Sequence, residues 1–108
     1  MVPPGRHPRE AMFTATLTVD LLLGDVHSLK GKRSVVRPLV AELRRSFEVA
    51  AAETGHLDLH RRAEVAVAVV APDAARCSDV LDRCERLVAA HPEFQILSAR
   101  RQFLSSDD

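Results

Sequence analysis

From Phe13 to Leu21 the sequence alternates strictly. Phe13, Ala15, Leu17, Val19 and Leu21 fall on one side, and Thr14, Thr16, Thr18 and Asp20 on the other. A period of two with β-branched residues specifies a half-buried strand. The apolar side needs a core, and the threonine side meets water or a partner. Any fold for this chain therefore contains a sheet with one face covered and one face that is not hydrophobic.

A second strand reinforces this. Ala63–Ala71 reads AEVAVAVVA. Val65, Val67 and Val69 form one face, and the other face is also nearly apolar, as suits a central position in the sheet. Phe94–Leu104 is expected to be a last strand whose alternation slips after Ile96, in the manner of a bulged edge strand. Phe47–Glu53 mixes β-branched and small residues and is assigned as a further strand, with Thr54–Arg61 as a loop.

Between these strands the period changes. Val36, Leu39, Val40, Leu43 and Phe47 recur at three- and four-residue steps and make one buried helical stripe. Gly24 and Asp25 end the first strand, and Ser28 supplies an N-cap hydroxyl. Pro38 interrupts this pattern, because it lacks an amide donor and clashes with the carbonyl four residues back. Two arrangements fit: one kinked helix over about residues 28–46, or a short basic turn followed by a helix with Pro38 in its first turn. The second is favoured, since Pro is well tolerated there. Downstream, Pro72 and Asp73 open another helix. Its stripe is Cys77, Val80, Leu81, Cys84, Leu87, Val88 and His91, and Pro92 stops it.

The order strand, helix, strand, strand, helix, strand predicts a ferredoxin-like βαββαβ sandwich of the α+β class: a four-stranded antiparallel sheet with both helices on one face. Its 108 residues suit one domain. Residues 12–104 make that domain, residues 105–108 a polar tail, and residues 1–11, with three Pro and no period, a disordered extension. Met12 is then a candidate for the true start. The extension has no apolar stretch of the kind a secretory signal requires, and no segment approaches the roughly 18 apolar residues of a membrane span. The expectation is a cytoplasmic protein.

Cys77 and Cys84 stand two helical turns apart, about 10 Å along the axis, too far for a mutual disulfide. Their place on the apolar stripe makes them small hydrophobes and disfavours the thiolate. No nucleophile has a base beside it: Ser28 is a cap and Ser34 stands alone. No glycine-rich phosphate loop occurs. His56, Asp58 and His60 form H-x-D-x-H, a spacing compatible with a metal site in an extended segment but more simply an ordinary polar loop. No catalytic residue, metal site or cofactor is assigned.

One constellation points to function. Lys30, Lys32, Arg33, Arg37, Arg44 and Arg45 face only Glu42 in the same stretch, a local charge of +5 in a chain of zero net charge. Its beginning coincides with a helix N-terminus, where the backbone already favours anions. Phosphate is the natural ligand. The plainer alternative is a solvated helix face whose charges pair with acids elsewhere in the fold. Aromatic residues are only 4% of the chain, with no Trp or Tyr, which counts against binding single strands by base stacking.

The run HSLKGKRSVVRPLVAELRRSF, followed by EVAAAETGHLDLHRRAEVAVAVV and VLDRC, resembles the YlxP-like bacterial proteins, a family of unknown function. The family hallmark is S-L-K-x-K-R after the first strand, then a helix ending in R-x-x-F, an extended V-x-x-A-E segment, a D-L-W loop and a valine-rich strand. The likeness covers residues 12–104. It departs at Gly31, where the family usually has Glu, and at His60, where the family commonly has Trp. The resemblance implies a ferredoxin-like fold. It also implies a link to ribosomes or RNA, since members are often encoded beside translation-initiation and ribosome-maturation genes. Carried over by position, Ser28, Leu29, Lys30, Lys32 and Arg33 match the motif, with Leu29 in the core and the three cations toward phosphate. The leading expectation is thus a non-enzymatic accessory protein docking on ribosomal or other structured RNA. The alternative is a homo-oligomeric, small-ligand or protein-interaction module that uses the open sheet face, with a homodimer as one form.

Overall fold

The structure, a computed structural model, describes residues 11–107. Six elements follow in the expected order: β1 (Phe13–Leu23), α1 (Leu29–Phe47), β2 (Ala50–Gly55), β3 (Arg62–Ala71), α2 (Ala74–Ala89) and β4 (Phe94–Ser105). They form one sheet of order β2-β3-β1-β4 in which every neighbouring pair is antiparallel. This is the ferredoxin-like α+β arrangement. Apart from Ala11, the extension expected at residues 1–11 lies outside the described residues, as does Asp108 of the tail.

β1 and β3 form the centre. Their register places Leu17 opposite Val67 and Val19 opposite Val65, so the two apolar rows reinforce each other across the strands. Leu17, Val19, Leu21, Leu23, Val65 and Ala63 are nearly inaccessible. The helices close over them with Val36, Leu39 and Leu43 from α1 and Leu81 and Val88 from α2. Cys77 and Cys84 are free thiols within this core. Burial pushes both thiols up, Cys84 to about 11 despite the opposing charge of Arg101, and Cys77 with help from Asp73.

The slip expected after Ile96 is present. Leu21 pairs with Ile96 and Asp20 with Ser98, so Leu97 is the extra residue of a bulge. β4 then continues through Ser105, which pairs with Phe13, and Ser106 N donates to Met12 O at 2.8 Å. The segment expected as tail therefore begins as strand.

Two expectations are corrected. α1 is a single helix from Leu29, with Pro38 inside it, and not a basic turn followed by a helix. Ser34 and Pro38 lie on the exposed side of α1, so the carbonyl that Pro38 deprives of a donor faces solvent. Val36 and Leu39 flank the proline and are both buried, and this anchoring outweighs the lost bond. The second strand starts at Ala50, not Phe47. Phe47 completes the helical stripe, and Glu48 takes a left-handed conformation at φ 52° to end the helix. The strand then runs on through Thr54 and Gly55, the start of the stretch expected as a loop.

Replacing Pro38 by Ala restores the missing amide on a solvent-facing turn. Pro costs about 3 kcal/mol relative to Ala inside a helix, less the loss of unfolded-state stiffness. P38A should therefore raise unfolding stability by about 1–2 kcal/mol, measured by urea titration. A lower midpoint would mean that α1 does not run through residue 38 as described.

Candidate nucleic-acid interface

Ser28 begins α1 in an extended conformation, and its Oγ accepts from Gly31 N at 2.9 Å. Lys32 N donates to Ser28 O at 3.0 Å, and Ser34 Oγ donates to Gly31 O at 2.6 Å. Gly31 occupies the third helical position. A Cβ there would lie 3.3 Å from Ser28 Oγ, in tight contact with the cap hydroxyl. No acidic residue occurs in the first turn. Lys30 and Arg33 thus stand near a helix N-terminus whose dipole opposes them, an arrangement that does nothing for the stability of α1.

The six basic residues do not share one face. Lys30, Arg33 and Arg37 are exposed and, with Ser34 and Pro38, line a shallow depression of about 450 Å³. Arg45 is exposed nearer the C-terminal end of the helix. None of these four pairs with a carboxylate among the described residues. By contrast Arg62, Arg76, Arg83, Arg100 and Arg101 each meet an acid. Arg44 is turned to the sheet: its Nε and Nη2 donate to Ala51 O at 3.0 and 2.6 Å. It covers a carbonyl of an edge strand.

Lys32 is the main departure from the expected set. Its side chain is 2% exposed. Nζ donates to His56 O at 2.6 Å and Leu59 O at 2.9 Å, both in the β2–β3 loop. Glu53 Oε2 lies 2.7 Å away and neutralises the charge, at an angle that falls short of a good hydrogen bond. Lys32 is therefore an internal tie between α1 and the β2–β3 hairpin and is not placed to touch phosphate. Its spacing contained the signal: Lys32, Val36, Leu39 and Leu43 step by four, three and four, in phase with the core stripe. Lys30, Arg33 and Arg37 step along the opposite side.

A second polar cluster, which the sequence reading missed, sits on the uncovered sheet face. Asp20 Oδ2 accepts from Arg62 Nη2 at 2.5 Å, and Asp20 Oδ1 lies 3.3 Å from His56 Nε2. Arg62 Nε is buried with no acceptor among the described residues. The Arg62 guanidinium holds the Asp20 carboxyl below the usual carboxylate range. Burial opposes that shift, and His56 adds to it. His56 itself has φ 56°, which turns its carbonyl to Lys32 while its ring reaches Asp20. The H-x-D-x-H residues therefore part company: His56 joins this cluster, and Asp58 and His60 are exposed. Among the described residues no three His, Cys, Asp or Glu side chains converge as metal ligands would. No described helix is long and apolar enough to cross a membrane.

The comparison with known families bears on the whole of this scaffold. The model of a family described as "Protein of unknown function (DUF503)" matches residues 14–101. The chain belongs to that family. The match runs from β1 into β4, so the helix start, the Lys32 tie and the open sheet face as far as Arg100 lie within the family region. Among curated proteins no significant match is found.

Lys32→Ala would leave Glu53 and two loop carbonyls without their cation. Removing one partner of a buried pair costs about 3–5 kcal/mol. The 22% exposure of Glu53 places this one at the lower end, about 3 kcal/mol, in chemical denaturation. An equal cost for Arg33→Ala would contradict the division made here between internal and surface cations.

The Asp20 pair has a pH signature. Its folded pKa lies below its unfolded value, so its stabilisation is complete above the ordinary carboxylate pKa. It is lost as pH falls through the folded value. Stability of the wild type should decline more steeply than that of Asp20→Asn below about pH 4, read as the difference between their acid-denaturation curves. Parallel curves would show that Asp20 is not held by Arg62.

Proposed function

We propose that this protein is a non-enzymatic accessory factor that docks on structured RNA, ribosomal RNA first among the candidates, through the exposed face of α1. The observation that carries this is the row Lys30, Arg33 and Arg37. It is exposed, set on one helix face, beside an N-terminus with no acidic residue in its first turn, and without a carboxylate partner among the described residues. Arg62, Arg76, Arg83, Arg100 and Arg101 each meet an acid, and these three do not. Arg45 adds a fourth exposed cation on the same helix, about 80° round the axis from Arg37. The likeness of the S-L-K-x-K-R run to YlxP-like proteins supports the same direction, and such a partner would be met in the cytoplasm. Double-helical RNA suits a rigid helix face that reads backbone geometry, since a surface so poor in aromatic rings offers little for base stacking.

Phosphate contacts would supply most of the affinity. With about four cations engaged on a duplex, log K should fall with log salt at a slope of about −3.6. The test is co-sedimentation with purified ribosomal particles over a salt series, for wild type and for K30E/R33E/R37E with Lys32 left intact. The expected result is salt-sensitive binding by the wild type and loss of binding by a variant that melts at the same temperature. Binding that is absent at low salt, or undiminished in the variant, would return these side chains to the role of a solvated helix face.

A further inference from the structure

The face of the sheet opposite the helices is uncovered, and its residues are of an unusual kind. Across β2 and β3 it presents Ala50, Ala52, Ala66 and Ala68, with Thr16 beside them on β1. These small side chains leave a shallow apolar hollow of about 240 Å³. Next to it stands a ridge. Thr14 pairs with Val70 on one side and Leu104 on the other, forming one row across three strands. Val70 is 63% and Leu104 60% exposed. Hollow and ridge are two residues apart along β3, about 7 Å.

The charges on this face are already matched within the chain. Asp20 is held by Arg62 and His56, and Glu64 by Thr54 Oγ1 at 2.8 Å and Arg100 at 3.5 Å. Two acids against two arginines leave the face neutral. A neutral face offers nucleic acid little purchase, and it can meet its own image without a net like-charge repulsion. Area is also sufficient. Four strands about 4.8 Å apart and about 33 Å long cover roughly 600 Å² in projection. Two copies would then bury about 1,200 Å² or more, where stable interfaces begin.

We propose that the open sheet face binds a second copy of this chain, forming a two-fold dimer in which the two sheets pack face to face. Full overlap of the two faces sets the two-fold axis near the middle of the sheet, over its central strands β1 and β3. A two-fold interface must be self-complementary, and a face with no net charge meets the electrostatic part of that condition. Aligned sheets pack about 10 Å apart, a spacing that small residues opposite larger ones fill. This surface is separate from the α1 row, so either assignment can fail without the other.

The test is the mass in solution of the full chain, by sedimentation equilibrium from about 1 to 200 μM. It is run beside Ala68→Glu in the hollow, Leu104→Glu on the ridge, and K30E/R33E/R37E on the opposite side of the molecule. The expected result is a wild-type mass near 24 kDa, twice the 11.9 kDa chain. Each sheet-face variant should be monomeric at concentrations where the wild type is dimeric, with unchanged circular dichroism. The α1 variant should remain a dimer. Leu104 is exposed at the sheet edge, so Leu104→Glu decides the matter if Ala68→Glu fails to fold. A monomeric wild type at 200 μM overturns the proposal, whether a ligand or residues 1–10 cover the face instead. A dimer that persists in both sheet-face variants overturns it equally, because the contact then lies elsewhere.

Discussion

The buried ammonium of Lys32 is the contact on which the layout of this molecule turns. A charge taken out of water is costly unless it is paired and hydrogen-bonded. Here the compensation comes from three separate places: the Glu53 carboxylate on β2, and the carbonyls of His56 and Leu59 in the following loop. The helix that follows β1 is thereby fixed to the hairpin two elements later. The loop is held from its other side as well. His56, whose carbonyl faces Lys32, sends its ring to Asp20 on β1, where Arg62 at the start of β3 completes the cluster. One residue in a left-handed conformation thus joins the covered side of the sheet to the uncovered side.

This arrangement sorts the cations of α1 by role. Lys32 goes inward, and Arg44 closes a carbonyl on the edge strand. Glu42, the one acid in the stretch, is occupied by His91 at 2.8 Å. Lys30, Arg33, Arg37 and Arg45 are left on the surface without a local acid. The uncovered sheet face has the opposite character: its acids and arginines are matched to one another, and small side chains fill most of the rest. The chain as a whole is neutral, yet it carries one basic face and, on the other side of the sheet, a neutral face of small side chains and matched charges.

Most of the scaffold was legible because periodicity reports burial. The Thr row of β1 and the valine rows of β3 fixed which faces were covered, and the slip after Ile96 marked the bulge at Leu97. Pro38 misled because propensity favours it at a helix start, whereas Val36 and Leu39 on either side of it are both buried and carry the helix through. Phe47 fits both the end of the helical stripe and the start of the next strand, and it belongs to the helix as the last knob of that stripe. Within the candidate site the error had one cause. Charge density was read along the sequence, and helix phase was not applied to each cation; Lys32 falls in phase with Leu39 and Leu43. The cluster of Asp20, His56 and Arg62 was not legible at all, since its members belong to three segments that only the register of β1 and β3 and the turn at His56 bring together.

The two proposed surfaces have a joint consequence. Sheets packed face to face put both α1 helices on the outside of a dimer, so its two basic faces would point away from each other. Such a particle cannot press both faces against one short RNA helix. It can bridge two helices of a folded RNA, and the second contact then forms at the high effective concentration set by the first. A few phosphate contacts on each copy, individually weak and salt-sensitive, would together hold a large structured RNA far better than a short duplex. Preference for a folded particle over an isolated helix would follow from geometry, with no base read by either copy.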